Sequence, residues 1–248
     1  MGVLKKTQCT NKKTFLDVTV VLPALNEVDI IEQTVEKISQ TLKTCGYTYE
    51  IIIAEDGSTD GTDRKAEELT HLSYVRHLHS DKRLGRGKAL TNSFKQSNGN
   101  ILIYMDVDLA TDLKYLKQLI NAVTKEGYLL ATGSRGLSQS NAKRTFTRSI
   151  ASKVYNFMVR LFLQSKIKDH QCGFKAFQRD ILLSLLEDVT ALHWFWDTEV
   201  LVRAQRKGYK IKEFPVEWKS TRETKVKLFH DAFDMGLQIL ILWWHLPS

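Results

Sequence analysis

Proline is scarce in this chain, at three residues in 248, and no Ser/Gly-rich tract interrupts it. That argues against a flexible interdomain linker and for one large domain, with at most a small appendage. Cysteine is equally rare: Cys9, Cys45 and Cys172 are far apart, odd in number and lack any CxxC spacing. A disulfide framework and a zinc ribbon are thereby disfavoured, and a reducing compartment fits. No apolar run approaches the roughly 18 residues that a membrane-spanning helix needs. Residues 1–14 form a polar, lysine-bearing leader without the apolar segment of a signal peptide. Acidic residues are outnumbered, 28 Asp and Glu against 36 Lys and Arg, leaving a net charge of +8. Such a balance suits nucleic acid, an anionic membrane surface or phosphorylated small molecules.

What is present is alternation. Apolar runs at Val18–Leu22, Tyr49–Ala54, Tyr74–Leu78, Ile101–Met105 and Tyr128–Thr132 read as strands. Helical stretches follow the first four, at Glu27–Leu42, Ser58–Leu69, Gly87–Ser97 and Leu113–Val123. Strands separated in this way predict an α/β fold, a mostly parallel sheet with helices on both faces. Beyond residue 135 the pattern changes. Ile150, Val154, Phe157 and Leu161 recur at helical spacing, predicting an amphipathic helix over 145–163. Trp196–Lys207 reads as a helix, Lys210–Val216 as a strand, and Val226–Leu246 as an amphipathic helix with a Trp-rich end.

Three polar clusters, Pro23–Glu27, Glu55–Asp60 and Asp106–Asp108, fall at the carboxyl ends of expected strands. Ligands of open parallel sheets bind beyond those ends, so the clusters should meet in one crevice. Asp106-Val107-Asp108 is the most informative of them. Carboxylates at i and i+2 can hold Mg²⁺ or Mn²⁺ together with a diphosphate. Taken alone the pair could equally begin a turn. Competing motifs fail. Gly85-Arg86-Gly87-Lys88 is no phosphate loop, because Lys82 stands where a glycine is needed and Ala89 replaces the magnesium-binding Ser/Thr. No GxGxxG follows the first strand, and Ala110 breaks an aspartyl-phosphatase DxDx[TV]. Arg144 and Arg148, four apart at a helix start, gain nothing from the helix dipole. They point to a nearby anion, or else to a solvated basic face.

Pro23-Ala24-Leu25-Asn26-Glu27, Glu55-Asp56-Gly57-Ser58-Thr59-Asp60-Gly61-Thr62 and Asp106-Val107-Asp108 together resemble the inverting family 2 glycosyltransferases of the GT-A fold. Gly133-Ser134-Arg135, Asp169–Lys175, Trp196–Glu199 and Val216-Glu217-Trp218 narrow the likeness to polyprenyl-phosphate sugar transferases, nearest the dolichyl-phosphate β-glucosyltransferases, with the dolichol-phosphate mannose synthases as cousins. It spans about residues 18 to 228. The resemblance implies a nucleotide-sugar site of Pro23, Asn26, Glu27, Asp56, Gly57, Lys88, Asp106 and Glu199, with Asp56 on the base or ribose. It implies Asp106 and Asp108 as metal ligands, and Asp108, Arg135 and Arg148 as catalytic residues. An acceptor-phosphate cradle of Arg135, Arg144, Arg148, Ser152, Arg222 and Lys225 follows, with Lys175 completing the surroundings. Glu199 contacts sugar hydroxyls on this reading, or merely pairs with Arg203. Ala110 departs from the Gln of the mannose synthases, so the third metal ligand is left open. The polar leader likewise departs from the N-terminal anchor of the eukaryotic glucosyltransferases.

Chemistry points the same way. A phosphate monoester is already anionic near neutral pH, so it needs cations to place it more than a base to activate it. Arginine forks do that bidentately. The expected arrangement is a leader over 1–14, a catalytic domain over 15–223 and an amphipathic, membrane-interfacial helix over 224–248. The expected reaction moves glucose from a UDP-sugar to a polyprenyl phosphate, with Mg²⁺ or Mn²⁺, at the cytoplasmic face of a membrane. A family 2 enzyme glycosylating a saccharide or protein hydroxyl is the alternative, and it would need a carboxylate base. Nucleic acid is not an expected partner, since a carboxylate-lined crevice opposes phosphodiester backbones. Self-association is left open.

Overall fold

β-Branched, apolar runs form the middle of the sheet because each is buried on both faces. The computed structural model describes the backbone of residues 16–143, 146–219 and 228–246, and the side chains of 16–140, 149–219 and 234–246. In chain order the elements are β1 (Leu16–Ala24), α1 (Ile31–Thr44), β2 (Tyr49–Glu55), α2 (Thr62–Glu68), β3 (Val75–Leu78), α3 (Arg86–Lys95) and β4 (Gly99–Met105). They continue with α4 (Leu116–Thr124), β5 (Leu130–Ser134), β6 (Asn141–Lys143), α5 (Phe146–Leu163), β7 (Phe174–Gln178) and α6 (Arg179–Leu185). α7 (Trp196–Arg206), β8 (Ile211–Pro215), β9 (Glu217–Lys219) and α8 (Leu228–His245) complete the described chain.

The main sheet runs β3-β2-β1-β4-β7-β5-β8, and β6 pairs with β9 in a small second sheet. All main-sheet pairs are parallel except those of β7, which is antiparallel to both β4 and β5. The α/β architecture expected from the alternation is present. One core, with Val20, Ile51, Ile53, Ile103 and Leu119, lies under α1, α2 and α4. The other, with Val21, Ile52, Leu102, Phe94 and Trp196, lies under α3, α5, α6, α7 and α8.

Three departures from the sequence reading have local causes. α1 begins at Ile31 rather than Glu27, because the preceding turn is held open: Asn26 has φ 55° and Val28 N donates to Asp60. α2 begins at Thr62 rather than Ser58, behind Gly61 at φ 95°. β7 was not expected as a strand, for a lysine at its second position conceals a segment whose other inner residues are apolar and whose pairing is antiparallel.

The apolar stripe of α5 does not turn inward. Val154, Phe157 and Leu161 are exposed, whereas Val159 and Leu163 pack on the core. α8 lies against α5 and repeats this arrangement. Ile239 and Leu242 are buried, whereas Leu237, Leu240, Ile241 and Trp243 face outward and Trp244 is 80% exposed. No helix of the described residues is long and apolar enough to cross a membrane.

Candidate functional site

β4 runs apolar to Met105 and then releases Asp106 at the carboxyl edge of the sheet, beside β1, where the direction of strand progression reverses. Asp106 N donates to Gly173 O at 3.1 Å, so the Asp106 carboxylate lies against a residue without a side chain. A Cβ on Gly173 would crowd all three carboxylate atoms of Asp106 well inside 3.0 Å. The glycine is therefore a cradle for that carboxylate. Thr34 Oγ1 donates to Val107 O at 2.7 Å and anchors the middle residue. Asp108 Oδ1 then accepts from Ala110 N at 3.0 Å, across Leu109 at φ 49°. Positive φ in a branched apolar residue is uncommon and marks a backbone held by its surroundings.

Burial pushes the Asp108 carboxyl above the usual carboxylate range, and the charges of Asp106 and Glu27 add to that. The charges of Asp106 and Glu27 thus bear on Asp108 at this edge. Arg86, the first residue of α3, offsets part of their charge. Its Nη2 lies 2.5 Å from Asp106 Oδ1, and its Nη1 lies 3.8 Å from Asp197. Tyr104 and Trp194 hold the guanidinium at 5.2 and 5.0 Å from their ring centroids. Carboxylate oxygens brought to one sheet edge, one of them fixed by a glycine cradle, are donors of the kind a hard divalent cation takes.

The two other clusters meet this edge, as their positions at strand ends required. Asn26 N donates to Ser58 Oγ and Thr59 N donates back to Asn26 Oδ1, at 3.0 and 2.8 Å. Glu27 N donates to Thr62 Oγ1 at 2.7 Å. Pro23 is half-buried at the end of β1. Asp56 is buried and accepts from Leu84 N and Gly85 N at 2.6 and 2.9 Å, so its carboxylate shapes the loop leading into α3. Gly57 has φ 73°, and a Cβ there would meet Arg83 N at 2.9 Å.

Other expected site residues are placed differently. Lys88 is exposed. It stands two residues after Arg86, and residues so spaced do not share a helix face. Glu199 is buried, pairs with Arg203 at 2.8 Å and accepts from Thr190 N and Ala191 N, so its oxygens serve packing. Arg135 meets Asp169 through two guanidinium hydrogen bonds, at 2.7 and 2.9 Å, and lies over Trp218. Burial opposes its charge, but the Asp169 carboxylate outweighs that and holds the guanidinium pKa above its ordinary value. Lys175, expected among the sugar and phosphate surroundings, is wholly buried instead. Its ammonium donates to His170 O, Cys172 O and Asp197 Oδ1 at 2.9, 2.6 and 2.7 Å. Tyr104 OH also donates to Asp197. Burial drives Lys175 down and Asp197 up, each toward neutrality. Lys175 is thus a pin: it ties the loop carrying Gly173 to α7.

Ser152 is half-buried in α5, and its oxygens accept from Asn156 Nδ2. Arg148 belongs to the first turns of α5, with its side chain outside the described set. Arg144, Arg222 and Lys225 lie outside the described residues. Sequence reasoning missed Arg86 and Gly173 as site residues. Arg86 carried a signal, since it opens a helix at the sheet edge where a phosphate-binding segment was sought. Gly173 carried none, because its role exists only once β7 lies beside β4.

Fold and site together define an α/β protein with a carboxylate centre at the reversal point of its sheet. Residues 19–186 match the model of glycosyl transferase family 2, and the chain belongs to that family. It is 48% identical over 234 residues to the glycosyltransferase AglD of Haloferax volcanii, covering 93% of this chain but 38% of that protein. It is 29% identical to the dolichyl-phosphate beta-glucosyltransferase of Saccharomyces cerevisiae, covering 90% of this chain and 73% of that one. Glucosyl-3-phosphoglycerate synthase of Mycobacterium tuberculosis, in complex with Mn²⁺, UDP and phosphoglyceric acid, has a similar fold. That likeness has a TM-score of 0.72 at 21% identity, covering 94% of this chain and 80% of that one.

Proposed function

We propose that this chain transfers a hexosyl group, glucose in the first instance, from UDP-sugar to a polyprenyl phosphate, with Mg²⁺ or Mn²⁺ held by Asp106 and Asp108. The observation that carries the reading is the carboxylate centre of Asp106, Asp108 and Glu27 with Arg86 set against it. A divalent ion there supplies charge stabilisation for the departing nucleoside diphosphate. Gly173 and Ala110 N orient the two aspartates. Arg86, paired with Asp106 here, would offer its fork to diphosphate oxygens were a cation to occupy that carboxylate. Asn26 and the Asp56–Ser58 loop border the nucleotide side of the same edge.

The acceptor class rests on two supports. Relatives at 28–30% identity are named dolichyl-phosphate beta-glucosyltransferases. The second support is the paired outward apolar faces of α5 and α8, with Trp243 and Trp244 at the end of α8, which suit a bilayer interface. Arg148, Arg144, Arg222, Lys225 and Ser152 remain the proposed cradle for the acceptor phosphate. Arg135 is better read as support, because Asp169 already fills its fork. A hydroxyl acceptor would require a carboxylate base. Asp197 and Glu199 are buried and engaged with Lys175 and Arg203, so neither supplies one.

The test is a product screen. The purified protein is incubated with labelled UDP- and GDP-sugars, with and without Mn²⁺. Acceptors are a short polyprenyl phosphate, phosphoglyceric acid and a simple saccharide. Metal-dependent formation of a lipid-linked sugar, abolished by Asp108→Asn, is expected. No lipid-linked product from any donor overturns the reading.

A further inference from the structure

A second cluster of metal-binding groups stands two strands away from Asp106, at the carboxyl ends of β2 and β3. Glu55 ends β2 with its side chain fully buried. Ile53 pairs with His77 across the β2–β3 ladder. Side chains alternate along a strand, so Glu55, His77 and His79 share one sheet face. The atoms that these three can offer a metal lie within 4.8 Å of one another. His79 Nδ1 already stands 2.5 Å from Glu55 Oε2.

His77 makes the cluster more than a chance grouping. Its side chain is 6% exposed. Nδ1 lies 3.0 Å from a carboxylate oxygen of Glu67 on α2, and a neutral ring that donates there presents its lone pair at Nε2. That Nε2 is buried with no hydrogen-bond partner. Leaving such a nitrogen unpaired costs stability. A carboxylate on one imidazole nitrogen and an open second nitrogen is also the arrangement in which histidine commonly binds a metal.

We propose that Glu55, His77 and His79 form a site for one divalent transition-metal ion of the zinc type, separate from the Asp106–Asp108 centre. The donor chemistry separates the two sites. Two imidazoles and one carboxylate favour Zn²⁺ or Co²⁺, whereas aspartates alone favour Mg²⁺ or Mn²⁺. At metal–ligand distances of about 2.1 Å, tetrahedral donors stand about 3.4 Å apart, so the widest pair of the set would draw in by up to about 1.4 Å while His79 Nδ1 parts from Glu55 Oε2 by about 0.9 Å. His79, 41% exposed, has room to move. Glu55 also accepts from Ser58 N, and so the ion would pin the Asp56–Gly57–Ser58 loop and join β3 to β2 behind the nucleotide edge. The proposal does not depend on the transferase reading.

Co²⁺ titration of the metal-stripped full chain tests it, read by visible absorption and equilibrium dialysis, with Zn²⁺ as competitor. Wild type and the Asp106→Asn/Asp108→Asn variant should each take up one equivalent with the intense absorption of tetrahedral cobalt, displaced by Zn²⁺. His77→Gln should lose that equivalent. His79→Gln, at an exposed position that leaves the core intact, should weaken it at least tenfold. In wild type Zn²⁺ should raise Tm, and in His79→Gln it should not. Unchanged cobalt binding in both histidine variants, or no tetrahedral signal in wild type, overturns the site. Loss of the signal only in the aspartate variant also overturns it, by assigning the ion to Asp106 and Asp108.

Discussion

Gly173→Ala is the sharpest test of how the carboxylate centre is built. The backbone of Gly173 lies outside the left-handed region, so alanine is accommodated locally. What its methyl group meets is the Asp106 carboxylate. The nearest carboxylate atoms would have to withdraw to about 3.4 Å, where ordinary contact begins, and that is a displacement of roughly 1 Å or more. Asp106 is a short side chain whose end can swing, and Arg86 can follow it. The fold should therefore lose only the 1–3 kcal/mol or so typical of an added methyl in packed surroundings. Metal sites are far less tolerant, since ligand distances hold to about 0.2 Å. Mn²⁺ affinity should fall at least tenfold, about 1.4 kcal/mol, and turnover with it. Isothermal titration with Mn²⁺, beside a urea melt of the same preparation, separates the two effects. Wild-type Mn²⁺ affinity in a folded Gly173→Ala protein would refute the cradle. A variant that instead fails to fold would show that the glycine is needed for chain packing.

Three other outcomes are expected. Lys175→Met leaves Asp197 buried without its closest cation and should cost about 3–5 kcal/mol in urea unfolding. The double variant Lys175→Met/Asp197→Leu should then cost clearly less than the two single changes added together, whereas simple additivity would mean that the pair is not coupled. Burial works against the Glu50 charge, but hydrogen bonds from Asn98, Thr19 and Arg76 outweigh it and hold Glu50 below its ordinary 4.5. Its contribution is therefore present above about pH 4.5 and is lost as pH falls through the lowered folded value, so the stability gap between wild type and Glu50→Gln should shrink on acidification. A constant gap would show that the charge is not the cause. Finally, Phe157→Ser with Trp244→Ser should reduce co-sedimentation with anionic vesicles several-fold while leaving Tm within a degree or two, because both side chains are exposed. Unchanged co-sedimentation would remove the membrane role from this face.

The amino-acid sequence by itself determined the alternation of strands and helices, the class of fold and the strand ends at which the polar clusters stand. It could do so because a strand buried on both faces must be an apolar run, and because polar residues closing such a run mark a sheet edge. Asp106, Asp108, Asn26 and Asp56 were legible for that reason. Tertiary structure alone decided which charges were already spent. Lys175 looked like a phosphate contact until β7 proved to lie inside the sheet, where its ammonium answers two carbonyls and Asp197. Arg135 and Glu199 were likewise matched to Asp169 and Arg203, partners more than thirty residues and one helical turn away respectively. Arg86 and Gly173 came into view only through contacts between distant segments. The outward turn of the α5 and α8 stripes was also decided in three dimensions, since helical period fixes a face but not its direction. A charged residue's chemistry is written in its side chain, but whether that charge is free for a ligand depends on the neighbours that folding gives it.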